Sequence, residues 1–289
     1  MSGIKIYDVR ELPGDSAFLI DDGVTSIMYD SGFAFTGDKV AGRIKQILGE
    51  RKLDYIFLTH SHYDHALGSV YAKKYWPDVK IVAGEYATKI FAKPSAKKVM
   101  RDLDHKFAEA NGINEYEDII DNLYVDLPVS DGDVIIAGDM EFKVLDLPGH
   151  TRCSIGYYCE KERLLLGCES IGVFNGKDDV VPSYLVGYNM CIESIERVMD
   201  LDIENILVPH FGILDKEKTK FYLDKAKKSA IETAEEIVKM QKSGKTKEEI
   251  ALFFENKFYH GYVKIIYPID AMRLNTGIMI DLLAREFCD

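Results

Sequence analysis

Apolar positions along this chain follow two rhythms. In residues 4–36, short runs of β-branched and aromatic residues are separated by Gly and Asp turns. Examples are Ser16-Ala17-Phe18-Leu19-Ile20, the turn Asp21-Asp22-Gly23, and Thr25-Ser26-Ile27-Met28-Tyr29. Such runs predict antiparallel strands and hairpins. A second set is expected at 123–127, 133–137, 141–146, 154–159 and 163–167, with turns at Asp131-Gly132 and Glu160-Lys161. Elsewhere the spacing is helical. Val40, Ile44, Ile47 and Leu48 predict a helix over 38–50 that stops at Gly49, and 65–76 predicts another, closed by Pro77. A long helical stretch is expected over 85–121, and a further helix over 189–200. Apolar runs at 55–59, 79–83 and 205–209 read as strands. The order is strands, helices, strands, helices, in two matched halves. It predicts two sheets that each carry helices on one outer face and pack their other faces together.

After residue 215 the strand rhythm gives way to helical periodicity dense in Lys and Glu, over 216–242, 246–257 and 270–286, with Ser243-Gly244 as a break. The expected organisation is a domain at 1–215 and a helical C-terminal segment at 216–289. That segment, a lid or dimerisation element, packs on the first domain because Phe253, Phe254, Phe258, Tyr259, Tyr262 and Ile266 need cover.

Composition narrows the function classes. The chain has 289 residues, is 47% hydrophobic and carries a formal net charge of −12. A core of ample size is available, and a nucleic-acid partner would need a local basic patch. Lys89, Lys93, Lys97, Lys98, Arg101 and Lys106 are the best such group and read as a solvated helix face. The first ten residues alternate and lack the apolar core of a signal peptide. No stretch approaches the roughly 18 apolar residues of a membrane span. The five cysteines, 153, 159, 168, 191 and 288, form no CxxC pair, which suits a reduced, cytoplasmic protein. The expected partner is a small-molecule substrate, with no nucleic acid and no membrane, and homodimerisation as an option.

The chemistry is concentrated in His60-Ser61-His62-Tyr63-Asp64-His65, directly after the apolar run 55–59. Three of the seven histidines of the chain lie there. A strand followed by a turn can aim three imidazoles and a carboxylate at one spot, as divalent metals require. His150, Glu169 and His210 share the setting, each ending a strand-like run. The seven N/O ligands suit two metals that share a bridging carboxylate and a water, and two cations about 3.5–4 Å apart make hydroxide available near neutral pH. Zinc and iron are the expected metals, with manganese as an option.

Thr59-His60-Ser61-His62-Tyr63-Asp64-His65 resembles the Thr-His-x-His-x-Asp-His motif of the metallo-β-lactamase superfamily. Tyr29-Asp30-Ser31-Gly32 resembles that family's early Asp-x-Gly strand end, and Pro148-Gly149-His150-Thr151 its Pro-Gly-His-Thr turn. The resemblance covers residues 1–215 and implies an α+β four-layer αββα sandwich with a binuclear site at one edge. It implies that His60, His62 and His150 hold one metal, and Asp64, His65 and His210 the other. Asp64, as water orienter or proton acceptor, and His65 are the residues closest to the chemistry, and Asp30 would orient a ligand histidine. The family's bridging residue is Asp in a Gly-Asp pair, whereas this chain reads Gly167-Cys168-Glu169-Ser170. Two registers fit. One makes Cys168 a thiolate ligand. The other makes Glu169 the bridge and is favoured by the Ser-Ile-Gly that follows.

Water activation is better defined than the leaving group. His62 stands where flavodiiron relatives carry Glu, and the charge disfavours nuclease relatives. The remaining expectation is an intracellular thioester hydrolase, of the glyoxalase II-like or acyl-CoA type. Tyr63, Phe174, Tyr184, Tyr188 and His260 are expected around an apolar substrate pocket. Cleavage of a small anionic phosphodiester or phosphonate ester is the alternative, with Lys177 or Arg152 as the cationic clamp. A non-catalytic sensor or binding protein that has drifted at Glu169 is another.

Overall fold

Runs predicted as strands and helices form largely where their apolar spacing places them. The structure, a computed structural model, describes residues 3–288, so Met1 and Ser2 of the expected first strand and Asp289 lie outside the described residues. The chain divides into two units. One comprises the residues up to Asp146 with Ile155–Leu166; the other comprises Leu147–Ser154 with the residues from Gly167 onward.

In the first unit six strands lie side by side in chain order: β1 (Lys5–Asp8), β2 (Phe18–Asp21), β3 (Ser26–Tyr29), β4 (Tyr55–Phe57), β5 (Lys80–Gly84) and β6 (Leu127–Val129). The first three are antiparallel, and the pairings from β3 to β6 are parallel. Four further strands, β7 (Val134–Ala137), β8 (Met140–Asp146), β9 (Ile155–Cys159) and β10 (Leu164–Leu166), form an antiparallel run. Buried aromatics join the two groups. The Phe57 ring stacks 4.5 Å from Tyr157 and meets Phe142 edge-on at 5.4 Å. Burying one such side chain contributes about 1.5–3 kcal/mol.

Five helices complete this unit: α1 (Ala34–Leu48), α2 (Tyr63–Ala66), α3 (Ser69–Tyr75), α4 (Glu85–Phe91) and α5 (Pro94–Ala110). Gly49 caps α1 at φ 61°, the expected stop. Two expected helices are each divided. The one over 65–76 breaks at Leu67-Gly68, where a Cβ on Gly68 would stand 1.8 Å from the Ser31 carbonyl oxygen. The stretch over 85–121 breaks at Lys93, which the following Pro94 holds extended. Its helix ends at Asn111-Gly112, and only a single 3₁₀ turn, Ile120–Asn122, follows.

The second unit contains β11 (Val173–Phe174), β12 (Val180–Val181), α6 (Tyr188–Met199), β13 (Asn205–Val208), β14 (Gly212–Leu214), α7 (Lys216–Lys242), α8 (Lys247–Phe258), α9 (Val263–Ile266) and α10 (Ile269–Phe287). Asp215 caps α7 by accepting from the Lys218 N–H, and Thr246 with Glu249 forms a capping box on α8. Val173, Val181, Tyr184 and Cys191 share one apolar core with Phe254, Phe258, Ile266, Met279 and Leu283. The C-terminal helices are therefore built into the same core as the segment that follows Glu169.

Candidate metal centre

The first unit contains four of the seven candidate ligands, His60, His62, Asp64 and His65. After β4 the chain runs through Thr59 into α2, a single helical turn capped by His62 with Asp64 and His65 inside it. That tight turn gathers three imidazoles. The ring centroids of His60 and His62 lie 4.6 Å apart, and those of His60 and His65 4.0 Å. Ligand atoms of His60 and His62 lie within 4.8 Å of one another, as do those of Asp64 and His65.

The histidines are anchored from behind. His65 Nδ1 is 2.7 Å from Asp30 Oδ2, and His60 Nδ1 is 2.9 Å from the Thr59 hydroxyl. A carboxylate can only accept, so His65 carries its proton on Nδ1 and turns the Nε2 lone pair away from Asp30. Asp30 is itself fully buried, at φ 48°, and accepts from Ser16 Oγ at 2.9 Å, Thr59 N at 2.8 Å and Thr59 Oγ1 at 3.0 Å. A left-handed non-glycine residue persists only where its surroundings over-determine it. The Ser31 N–H and hydroxyl fix the His65 carbonyl at 2.7 and 2.8 Å.

The second unit contains the other three, His150, Glu169 and His210. Gly149, at φ 133°, lets the Pro148-Gly149-His150 turn pass Cys191: a Cβ there would stand 2.4 Å from the Cys191 sulfur and 2.7 Å from its amide nitrogen. His150 is anchored like the others, with Nδ1 2.8 Å from Ser183 Oγ, and its amide donates to Ser170 Oγ at 3.1 Å. Its Nε2 reaches Glu169 Oε2 at 2.8 Å, and His210 Nε2 lies 3.5 Å from Glu169 Oε1. The Glu169 carboxylate thus lies between two ligand-type histidines. The buried Cys168 thiol donates to the Leu147 carbonyl at 3.9 Å. His210 ends the β13 run at φ 60°. Two tyrosines from the C-terminal segment reach this group. The Tyr267 hydroxyl donates to Glu169 Oε1, and the Tyr262 hydroxyl donates to the His210 carbonyl at 2.6 Å. Burial, with Cys168 and Glu169 nearby, holds the Tyr222 phenol well above its ordinary pKa, so it stays a donor, to the Gly172 carbonyl at 2.7 Å.

The remaining expected residues are more dispersed. Tyr63 packs on Phe33 at 5.6 Å within an aromatic cluster that includes Phe107 of α5. Phe174 is buried against Phe211, Tyr184 is buried against Tyr188, and His260 is exposed beside the Lys257 carbonyl. In the basic run of α4 and α5, Lys98 pairs with Asp102 and Arg101 with Asp118. Sequence reasoning passed over Thr59, Ser183, Tyr262 and Tyr267. Thr59 stands inside the motif and was legible; the other three reach the site only through distant contacts.

The donor chemistry fits a divalent metal. Imidazoles anchored through Nδ1, with carboxylates among them, form the outer arrangement that orients metal ligands. A family profile described as Metallo-beta-lactamase superfamily matches residues 13–210. The chain belongs to this superfamily of metal-dependent hydrolases, and its fold is the expected α+β sandwich with C-terminal helices. It resembles Glyoxylase B2 of Dictyostelium discoideum, 28% identical over 148 residues, covering 50% of this chain and 45% of that protein. The chain spans about half the length of the curated relatives it matches, 45% and 53%. Among solved structures, a metallo-β-lactamase family protein from Thermus thermophilus is 17% identical, covering 99% of this chain and 94% of that one, with a TM-score of 0.65. An archaeal superfamily member from Sulfolobus tokodaii is 19% identical, covering 78% and 86%, with a TM-score of 0.57. These two likenesses are of fold. No helix among the described residues is long and apolar enough to cross a membrane.

Proposed function

We propose that the chain is a binuclear metal-dependent hydrolase of a small-molecule thioester. The observation that carries the reading is the matched anchoring of His60, His65 and His150 through Nδ1, with Glu169 lying between His150 and His210. In this reading His60, His62 and His150 hold one cation, Asp64, His65 and His210 hold the other, and Glu169 serves both. The donor set suits zinc, iron or manganese. When bound, such a pair acidifies a shared water and polarises the carbonyl under attack.

The residues of the chain do the rest. Asp64 Oδ2, 3.7 Å from His65 Nε2 and only 13% exposed, orients the attacking water. Asp30 and Thr59 hold the histidines in one tautomer, so no reorganisation is needed during the reaction. A thiolate leaves readily, because thiols titrate near about 8.5, and no separate general acid is required. The partial likeness to a glyoxylase supports this branch. Lys177, one of the two alternative clamps for a phosphodiester, is 84% exposed and paired with Asp178 at 3.5 Å, which favours the thioester.

The test is elemental analysis of protein purified without added metal or chelator, alongside turnover of acyl-CoA thioesters and phosphodiesters. Close to two metals per chain with thioester cleavage is expected. No metal after reconstitution and no turnover of either class would move the chain to the binding-protein reading.

A further inference from the structure

We infer that residues 259–267 complete the metal centre, with Tyr267 as a positioning residue for Glu169 and Tyr262 as one for His210. The inference rests on the proposed metal-binding reading and adds groups that lie outside residues 13–210, which match the family. Glu169 has one more rotatable bond than the Asp it replaces, so its carboxylate has more orientations to lose when it must serve two partners. Tyr267 supplies the missing restraint. Its hydroxyl holds Oε1 while Oε2 stays 2.8 Å from His150 Nε2.

The tyrosine is itself held. Its backbone is extended, φ −113° and ψ 128°, as the following Pro268 requires. Its N–H donates to the Val263 carbonyl at 3.0 Å, and its carbonyl accepts from the Tyr259 hydroxyl at 3.1 Å. Tyr262, five positions earlier, donates to the carbonyl of His210, whose left-handed backbone needs such support. One short segment therefore braces both the carboxylate and a histidine of the second ligand half. A longer carboxylate and a tyrosine brace act together where the family has a shorter Asp.

The experiment is a double-mutant cycle on the full chain, read by metal affinity. Zinc binding to wild type, Tyr267→Phe, Glu169→Asp and the double variant is measured by competition with a chromophoric chelator, and the cobalt(II) visible spectrum reports ligand geometry. Tyr267→Phe is expected to weaken one of two zinc ions by about 10–100-fold and to alter the cobalt spectrum. In the Glu169→Asp background the same change is expected to matter less than about threefold, because the shorter side chain cannot reach the phenol. Equal zinc affinity and an unchanged cobalt spectrum in Tyr267→Phe would overturn the inference, as would an equal loss in both backgrounds. A phenolate-to-metal band with ferric iron, present in wild type and absent in Tyr267→Phe, would make Tyr267 a direct ligand and also overturn it. A wild-type chain that takes up no metal would overturn the proposed function and this inference together.

Discussion

Asp30→Asn is a sharp probe of the ligand scaffold, because it keeps the shape of a fully buried side chain and changes only what it can accept. The carboxylate receives hydrogen bonds from Ser16 Oγ, the Thr59 amide and hydroxyl, and His65 Nδ1. In the variant the amide oxygen can retain the Thr59 N–H, but its NH₂ group then faces His65 Nδ1–H and the Ser16 hydroxyl. The hydroxyl can rotate to accept. The imidazole can answer only by moving its proton to Nε2. Hydrogen bonds to a charged group contribute about 1.5–3 kcal/mol each. Exchanging the charge-assisted His65 bond for a neutral one and weakening a second gives an expected destabilisation of about 1–3 kcal/mol. Urea unfolding of metal-free protein measures it. The displaced proton also occupies the nitrogen aimed at the metal, so zinc affinity should fall by about 10–100-fold. A stability change under about 0.5 kcal/mol together with unaltered zinc affinity would refute the assigned role of Asp30.

Glu169→Ala should lose one of the two metals by elemental analysis, whereas Cys168→Ser should keep both; the reverse pattern would restore the thiolate register. Gly149→Ala should destabilise the second unit by more than about 2 kcal/mol in urea, through both its φ of 133° and the approach to Cys191. Cys191→Ala should not rescue it, because the backbone of Cys191 is also in the way. Asp104 gives a pH prediction. Burial pushes its carboxyl up from 3.8 to about 7, although it accepts from the Ala34 amide and the Tyr116 hydroxyl. The folded chain then keeps a proton that the unfolded chain releases. The contribution of this group to stability is full below pH 3.8 and falls as the pH rises to about 7. Asp104→Asn should flatten that slope in urea midpoints taken across the window, and an unchanged slope would contradict the burial argument.

Legibility in the sequence followed the range of the interactions. The strands β2, β3 and β4 were plain because buried runs such as Phe18-Leu19-Ile20 have few alternatives. The ligands of the first half were plain because one turn holds them all. The break at Lys93 was also legible, since Pro94 restricts its neighbour, but helical periodicity on both sides masked it. The break at Gly68 was not, because there the Gly68 N–H donates to the Gly32 carbonyl at 3.1 Å, a partner that only the folded chain brings near. Between the two registers after Gly167, local sequence could favour one without deciding it. The observation that bears on the choice is geometric: Glu169 lies between His150 and His210. Tyr267, 98 positions from the carboxylate it holds, left no signal at all.

That separation has a consequence during synthesis. A ribosome adding about 5–20 residues per second needs roughly 5–20 s to travel from Glu169 to Tyr267. For that interval the nascent chain presents the histidine-rich turn near its beginning while the carboxylate still lacks its phenol. On the proposed metal-binding reading, early capture would meet an unfinished cradle, and lasting retention would wait until translation has passed α9.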